Sequence, residues 1–212
     1  MKNKIIQSLF VLTLSLGFLT SCVSEDDFDI PTIKQLILHE SFETVTTGSG
    51  ATEVPIAIDG WGNYAVVGSR KWHGRTFSGN KYAEFSSFYS NAATDPNDEV
   101  WLTTPAIDLS STSYEALSFE TKIRFWQGAA LTVYVSEDYD GTQAGIATAT
   151  WTQLNPVLPT STQADVSVSS GIIDLSMYNS NNVRIAFKYV GSKQSGLTTT
   201  YQLDNIKIFE NL

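Results

Sequence analysis

The side chains that would carry hydrolytic chemistry are few and scattered in this sequence. Two histidines, His39 and His73, are present, and neither lies in a recognisable nucleophile motif such as G-x-S-x-G. A glycoside hydrolase needs two carboxylic acids facing each other about 5–10 Å apart, and nothing in the sequence pairs the acids that would qualify. Those acids are Glu84, Glu99, Glu120, Asp138 and Asp140. We therefore expect a protein that is not an enzyme, with a glycan hydrolase as the less favoured alternative.

Aromatic side chains offer a different chemistry, because the C–H faces of sugars stack on rings while the hydroxyls form hydrogen bonds with a few polar groups. Asn63, Arg75 and Asn80 would supply such hydrogen bonds. Large aromatic side chains also fill the cores of β-sandwiches, so core packing is the alternative for Trp61 and Trp72. The principal candidates for ligand binding stand near predicted loops or strand ends and are Trp61, Tyr64, Arg70, Trp72 and Trp126.

The composition excludes several classes of protein. The chain has 212 residues, one cysteine and a formal net charge of −9. A single cysteine rules out a disulfide framework, and one cysteine with two histidines is too few for zinc sites built from Cys/His clusters. An acidic surface argues against a nucleic-acid partner, since nucleic-acid backbones are themselves negative. With 42% hydrophobic and 17% charged residues, the length suits one folded domain with a substantial core.

The first 21 residues have the features of a secretory signal. Lys2 and Lys4 precede an apolar run over residues 5–19, which is shorter than the ~20 apolar residues that a membrane-spanning helix needs. The run ends in Leu-Thr-Ser-Cys at 19–22, which resembles the bacterial lipobox, in which the cysteine is lipidated and becomes the mature N-terminus. We therefore expect a lipoprotein signal peptide over residues 1–21 and a lipid on Cys22. A plain signal peptide is the alternative.

Acidic residues follow Cys22 almost directly, in the run Ser-Glu-Asp-Asp-Phe-Asp at 24–29. This run resembles the export signal that carries Bacteroidetes lipoproteins to the outer face of the outer membrane. The resemblance implies a protein exposed at the cell surface and held by outer-membrane lipid through acylated Cys22. We take residues 22–35 as a lipid-anchored acidic linker, and a linker without export function is the plainer interpretation.

The remaining residues, 36–212, alternate in hydrophobicity with the period of a β-strand. Around residues 117–125, 131–136 and 183–189, apolar residues occupy every second position. Each run gives one apolar face and one solvent-facing face, as in an antiparallel sheet. Strands without a convincing amphipathic helix predict an all-β, two-sheet antiparallel jelly-roll sandwich. Further candidate strands lie near 36–42, 61–67, 70–77, 81–87, 99–103, 150–154, 170–175 and 200–209.

The last candidate strand changes parity in its middle. Its apolar residues occupy odd-numbered positions up to Leu203 and even-numbered positions from Ile206. Alternation does not switch parity in a regular strand, so one extra residue must be accommodated at Asp204 or Asn205. We therefore predict a β-bulge at this point, which would re-aim the Asp204 side chain and free nearby backbone oxygens.

A short sequence, Ile-Asp-Leu-Ser, occurs at 107–110 and again at 173–176. In both places an alternating strand begins soon after the serine. Two copies are too few for a solenoid. We interpret them as equivalent strand–turn–strand corners, with chance similarity as the alternative.

A series of landmarks in this chain resembles the choice-of-anchor J domains of secreted Bacteroidetes proteins, which are related to cleaved-adhesin and MAM-type jelly rolls. The resemblance implies a jelly-roll fold. It says less about function, because such modules occur as adhesive, sugar-binding or structural appendages. The landmarks are Glu-Ser-Phe-Glu at 40–43, Gly-Trp at 60–61, Lys-Trp at 71–72, and the stretches 78–83, 101–109, 135–141, 185–189 and 201–206.

The same resemblance implies a structural calcium ion, since sandwich modules of this kind commonly bridge their first and last strands with one. Carried over by position, its ligands would be Glu43 and Asp204, with Glu40 as a weaker candidate. Calcium takes roughly six to eight oxygen ligands, and the predicted bulge would offer backbone carbonyls. The alternative is that Glu43 is an exposed strand residue and Asp204 a turn former.

The expected function is that of a surface-exposed lipoprotein whose non-catalytic β-sandwich binds an extracellular glycan or a surface protein. The alternative is a protein-interaction module, such as an accessory subunit of an outer-membrane uptake complex. A row of exposed aromatic side chains across one sheet face would favour a sugar ligand. A flat apolar patch of several hundred square ångströms would favour a protein partner.

Overall fold

Twelve β-strands make up most of the regular structure of residues 35–211, which are the residues that the computed structural model describes. Three short 3-10 helices accompany them in this range, at Ser87–Tyr89, Ala144–Ala147 and Ser161–Gln163, and none is long and apolar enough to cross a membrane. The all-β prediction is confirmed. The strands are β1 (Leu36–Glu40), β2 (Gly62–Val67), β3 (His73–Phe77), β4 (Asn80–Phe85), β5 (Asn97–Thr103), β6 (Glu115–Arg124), β7 (Leu131–Ser136), β8 (Thr152–Leu154), β9 (Val168–Ser169), β10 (Ile173–Asp174), β11 (Arg184–Ser192) and β12 (Thr200–Glu210).

The strands form two antiparallel sheets that pack face to face, as predicted for a jelly-roll sandwich. The seven-stranded sheet has the order β10-β6-β12-β4-β3. In this sheet β4 pairs with the first half of β12, and β1 pairs with the second half of β12. On the other side of the sheet, β10 pairs with the start of β6 and β9 pairs with the middle of β6. The five-stranded sheet has the order β2-β5-β11-β7-β8.

Alternation along the strands places the core between the two sheets. In β6, Leu117 and Phe119 are buried while the residue between them faces outwards. In β11, Ile185 and Phe187 are buried against them. The rings of Phe119 and Phe187 meet edge to face with their centroids 5.1 Å apart, so the inner faces interdigitate. Burying one such side chain stabilises the fold by about 1.5–3 kcal/mol relative to exposure.

The parity change in the last strand is a β-bulge, as predicted. Asp204 pairs with Glu120 and Lys207 with Ser118, so β12 has one residue more than β6 between the two pairs. Asn205 lies within this bulge with a φ of 50°, a left-handed conformation that asparagine tolerates better than most residues. The extra residue keeps the apolar side chains on both sides of the bulge in the core.

The two Ile-Asp-Leu-Ser segments form equivalent corners, as predicted. In each, the aspartate Oδ1 accepts a hydrogen bond from the backbone N–H of the serine two residues on. The distances are 2.9 Å from Ser110 to Asp108 and 2.8 Å from Ser176 to Asp174. The first segment pairs with the chain at the start of β11 and the second with β6. The corner at 107–110, which precedes β6, therefore lies against the start of β11. The corner at 173–176, which precedes β11, lies against β6.

The outer faces of the two sheets are covered differently. Residues 137–151 fold over the five-stranded sheet, where Trp101 is buried against Trp151 and where Trp151 also packs on Tyr139. This second apolar cluster covers part of that face. The outer face of the seven-stranded sheet has no such cover over β6 and β12, and a groove crosses it there.

Candidate functional site

A groove of about 540 Å³ crosses the open face of the seven-stranded sheet. Its floor consists of outward-facing residues of the two central strands, Glu120 and Lys122 from β6 and Gln202 and Asp204 from β12. These residues alternate with core residues, so the period-two pattern that builds the core also sets a row of polar side chains on the floor. Gln202 lies opposite Lys122, and Asp204 lies opposite Glu120.

The β3–β4 hairpin forms one wall of the groove. Both residues of its turn, at 78–79, have positive φ values of 51° and 87°, as a type I′ turn requires. Phe77, just before the turn, is 71% exposed and lines the groove together with Tyr82. Asn80 donates a hydrogen bond from Nδ2 to Oδ2 of Asp204 at 2.9 Å. This wall therefore offers two aromatic rings and an amide.

The opposite wall combines the end of β6 with the segment 165–167. Nε of Arg124 donates a hydrogen bond to Oδ1 of Asp165 at 2.7 Å, and Oγ of Ser167 donates one to Oε2 of Glu120 at 2.8 Å. The ion pair between Arg124 and Asp165 is exposed to solvent, so it adds little to stability. Both of its members therefore remain able to exchange their contact for one with a ligand.

The groove floor is most negative around Asp204. Burial raises the pKa of the Asp204 carboxyl, and the charges of Glu120 and Glu43 raise it further. A hydrogen bond from Asn80 lowers the pKa but does not cancel these effects. Each of these two neighbouring carboxylates disfavours a second negative charge nearby. Lys122 lies further along the floor, so the groove has a negative end and a positive end.

A network of partly buried charges supports the hairpin wall from the side. Nε2 of Gln202 donates to Oε2 of Glu84 at 2.9 Å, and Nε of Arg75 donates to Oε1 of Glu84 at 3.3 Å. Arg75 also donates to two backbone oxygens of the segment 50–52, at 2.8 and 3.0 Å. Burial opposes ionisation of Glu84, but the His73 ring, Gln202 and Arg75 together lower its pKa. The network fixes one floor residue of the groove relative to the edge of the sheet.

Two of the predicted ligand-binding residues are occupied by contacts within the protein. Trp72 is fully buried, because the Asn63 side chain binds its backbone N–H and C=O and its ring packs on Phe85. This burial corrects the prediction that Trp72 is a platform for a ligand, and core packing is the interpretation that holds. Arg70 forms an ion pair with Glu53, and its side chain is only 14% exposed. Its donors are thus used within the protein.

The other three predicted ligand-binding residues are partly buried at separate places. Trp61 packs edge to face on Phe42 with the ring centroids 5.9 Å apart. The hydroxyl of Tyr64 donates to the backbone oxygen of Gly141 at 2.7 Å, on the covered face of the five-stranded sheet. Trp126 packs against the main core. None of these residues lines the groove, so the structure does not bring the predicted set together.

The residues predicted to hold calcium lie near the edge of the groove. Oε1 of Glu43 accepts a hydrogen bond from the backbone N–H of Lys81 at 3.0 Å, beside the residue that binds Asp204. The Glu40 carboxylate instead accepts one from the backbone N–H of Phe42, which has a positive φ. Within residues 35–211, no group of three or more His, Cys, Asp or Glu side chains is close enough to hold a metal ion. A calcium site would therefore need backbone oxygens beside Glu43 and Asp204, and it stays a prediction.

The acids considered for hydrolysis are engaged in separate local contacts, and Glu84 belongs to the partly buried network with Gln202 and Arg75. Asp138 and Asp140 close local turns, accepting hydrogen bonds from the backbone N–H groups of residues 150 and 142, at 2.8 Å in each case. Glu99 forms an ion pair with Lys188 at 3.1 Å. Of the five acids, Glu120 lines the groove, where it already accepts a hydrogen bond from protein.

Phe77, Tyr82 and Gln202 line the groove but are not among the residues that the sequence pattern singles out. A signal for the first two exists, because alternation on both sides of the turn at 78–79 places them on the outward face. Gln202 is a polar residue in an otherwise apolar strand segment, which marks an outward position between Tyr201 and Leu203. Neither signal tells which of the two sheets has an open outer face.

Comparison with known proteins gives a family and a fold. Residues 76–210 match the model of a family described as Domain of unknown function (DUF5017). No curated protein sequence matches this chain. Among solved structures, the K1 cleaved adhesin domain of Lys-gingipain from Porphyromonas gingivalis W83 is similar with a TM-score of 0.52 at 19% identity. That similarity covers 82% of this chain and 98% of that domain.

Two further cleaved adhesin domains of Lys-gingipain are similar to the same extent. The K2 domain has a TM-score of 0.53 at 16% identity, covering 81% of this chain and 98% of that domain. The K3 domain from P. gingivalis W83 has a TM-score of 0.50 at 19% identity, covering 82% and 98%. Similarity at this level of identity shows the fold alone. It supports the resemblance to cleaved-adhesin jelly rolls, while the choice-of-anchor J assignment is not confirmed.

Proposed function

The chain belongs to the DUF5017 family, and we propose that it is a non-catalytic binding module that holds an extracellular glycan in the groove of the seven-stranded sheet. The observation that carries this proposal is the composition of the groove walls. Two aromatic rings, those of Phe77 and Tyr82, stand beside the polar side chains of Asn80, Gln202 and Lys122. A sugar ring needs this combination, an apolar platform for its C–H face and fixed hydrogen-bonding groups for its hydroxyls.

Phe77 is the platform that is readiest to bind. The residue is 71% exposed at the tip of a tight hairpin, so covering its ring with a sugar removes apolar surface from water. The hydrogen bonds along the floor are already made between protein groups, such as the one from Asn80 to Asp204. The floor is therefore preorganised, and binding needs little reordering of side chains.

A glycan panel tested with the full chain examines this proposal. We expect at least one polysaccharide to bind, and Phe77→Ala to weaken that binding about tenfold through loss of ring contact. Phe88→Ala is the matched control, because Phe88 is also an exposed phenylalanine but lies outside the groove. A panel in which nothing binds, or an equal loss in both variants, would overturn the glycan proposal.

Tethering to the outer membrane through acylated Cys22 is a second part of the proposal. Cys22 lies outside the described residues, so this part is supported by the sequence alone. Cells grown with a labelled fatty acid should incorporate the label into the protein, and Cys22→Ser should abolish incorporation. Protease added to intact cells should digest the wild-type protein if it faces outwards. A protected protein would contradict surface exposure.

A calcium ion at Glu43 and Asp204 would fit the same edge of the groove. The support for it is that the charge of Glu43 contributes to the raised pKa of Asp204, so the two carboxylates repel each other through space. A divalent cation would cancel this repulsion and would tie the segment after β1 to β12.

A protein partner is the second candidate, and one exposed surface favours it. Phe88 and Tyr89 are both exposed and pack edge to face with their centroids 5.1 Å apart, and Nζ of Lys193 lies 3.7 Å above the Phe88 ring. Aromatic and basic groups together are typical of protein interfaces. An accessory subunit or adhesin would use this surface, and Phe88→Ala would then reduce capture of its partner without affecting glycan binding.

A further inference from the structure

A second pocket, of about 240 Å³, shares no lining residue with the groove. It lies between the two Ile-Asp-Leu-Ser corners, which contribute Leu109 and Ser176 to its wall. The start of β6 contributes Glu115. The reciprocal packing of the two corners therefore creates a small recess whose wall carries one acidic side chain.

Glu115 is in an unfavourable environment. The residue is 3% exposed, and its Oε1 has no hydrogen-bond partner. Among the residues that the structure describes, no lysine, arginine or histidine forms an ion pair with it. Burying a carboxylate oxygen without a hydrogen-bond partner opposes folding, and such atoms are rare in native proteins. A buried acid that lines a pocket is therefore explained best by a ligand that supplies the missing donor.

A second carboxylate adds to the negative charge at this place. Glu210 on β12 lies directly opposite Glu115 on β6, so the two side chains are cross-strand neighbours. Oε1 of Glu210 accepts a hydrogen bond from the backbone N–H of Ser113, which lines the pocket, at 3.4 Å. Like charges directly opposite each other destabilise a sheet. A cationic group in the pocket would relieve this repulsion as well as the burial penalty of Glu115.

We propose that the pocket binds a primary ammonium group on an alkyl chain, which is the chemistry of a lysine side chain. Tyr114 and Tyr178 line the pocket and would contact the chain and the cation through their rings. Tyr114 is held in a left-handed conformation, with φ of 59°, by a hydrogen bond from the backbone N–H of Asn211 to its oxygen at 2.8 Å.

The lining favours an ammonium group over a metal ion. An ammonium group has three donors, which match the buried carboxylate and the nearby hydroxyls of Ser113 and Ser176. A calcium ion takes roughly six to eight oxygen ligands, and the pocket is lined by one acid only, Glu115. The volume of about 240 Å³ also suits an alkyl chain far better than a bare ion.

Titration calorimetry with Nα-acetyl-lysine methylamide and the full chain tests this proposal. We expect one molecule of the probe to bind, and Glu115→Gln to weaken binding about 10- to 100-fold, as for a lost hydrogen bond to a charged group. The norleucine analogue, which lacks the ammonium group, should not bind. Glu137→Gln is the matched control, since Glu137 is exposed and lines a different pocket.

Several outcomes would overturn the proposal. These are equal affinity of the wild type and Glu115→Gln, absence of binding at millimolar probe, and tighter binding of glucosamine or calcium than of the lysine probe. Thermal melting separates binding from folding. Without probe, Glu115→Gln should melt at or above the wild-type temperature, because it removes one of two carboxylates that lie directly opposite each other in the sheet. The probe should stabilise only the wild type. A lower melting temperature of Glu115→Gln would show that Glu115 is paired in the native protein.

Discussion

Replacing Asn63 by alanine should destabilise the fold strongly while leaving the groove lining unchanged. The Asn63 side chain is 9% exposed and makes three hydrogen bonds. Its Nδ2 donates to the backbone oxygens of Ile56 at 3.1 Å and Trp72 at 2.7 Å, and its Oδ1 accepts from the backbone N–H of Trp72 at 3.1 Å. One amide thus joins β2 to the two chain segments that carry Ile56 and Trp72.

The magnitude follows from which groups lose their partners. In Asn63→Ala, the N–H of Trp72 and the carbonyl of Ile56 lose these bonds inside the protein, while the Trp72 carbonyl keeps the N–H of Ile56 at 2.9 Å. A buried polar group without a partner costs about 1–3 kcal/mol. Two such groups should therefore lower the free energy of unfolding by about 3 kcal/mol. For a domain of this size, that loss corresponds to a fall of about 6–12 °C in melting temperature.

Urea denaturation followed by tryptophan fluorescence, together with calorimetric melting, measures this loss. Asn181→Ala is the control, because Asn181 is exposed and its loss should change stability by less than about 0.5 kcal/mol. Asn63→Asp should be at least as damaging as Asn63→Ala, since a buried carboxylate would face the two carbonyl oxygens. A loss below about 1 kcal/mol in Asn63→Ala would refute the assignment of the amide as a structural link.

Three other predictions concern backbone space, acid stability and calcium. Gly68 and Gly79 have similar positive φ values of +84° and +87°, but only at Gly68 would an added Cβ lie 2.7 Å from a backbone oxygen. Gly68→Ala should therefore lower the free energy of unfolding by about 2 kcal/mol more than Gly79→Ala in urea denaturation. Equal losses in the two variants would contradict this prediction. The pKa of Glu84 is lowered from its ordinary value of 4.5, so the ionised Glu84 stabilises the fold at higher pH, and this stabilisation is lost as the pH falls below 4.5. Glu84→Gln should therefore make the stability depend less on pH in this range. An unchanged dependence of stability on pH would contradict this prediction. The pKa of Asp204 is raised, so without a cation its ionisation lowers stability as the pH rises above its ordinary value of 3.8, and Asp204→Asn should remove this loss. If calcium binds there, a chelator should lower the melting temperature and added calcium should restore it, whereas no shift under either treatment would remove the site.

The alternation of apolar residues predicts the strands and the two-sheet class, because burial of one face decides which residues point inwards, but it does not give the strand order. In β6 the pattern assigned Leu117 and Phe119 to the core. The parity change before Ile206 also predicts the bulge at Asp204 or Asn205, because only an extra residue lets the apolar side chains of both halves of β12 face the core. Local patterns of this kind are the part of the fold that a sequence specifies most directly.

The location of the groove depends on long-range packing, which local patterns do not report. Trp72 and Asn63 have side chains that suit a sugar-binding site, yet the structure uses the amide of one to hold the backbone of the other in the interior. Tyr64 faces outwards from its sheet, but residues 137–151 cover it. Which sheet face stays open is decided by where these loops fold, and their sequences carry no periodic signal for it.

The position of β12 has a consequence for the order in which the chain folds. This strand is the last in the described residues and lies inside the seven-stranded sheet, where it pairs with β1, β4 and β6. None of those three strands pairs with another of the three, so the sheet has no continuous hydrogen-bonded path until β12 arrives. A chain emerging from the ribosome or a translocation channel therefore stays without its larger sheet until residues 200–210 are released. Completion of the larger sheet should therefore be a late step in folding, whereas the five-stranded sheet, which contains no residue of β12, does not have to wait for it.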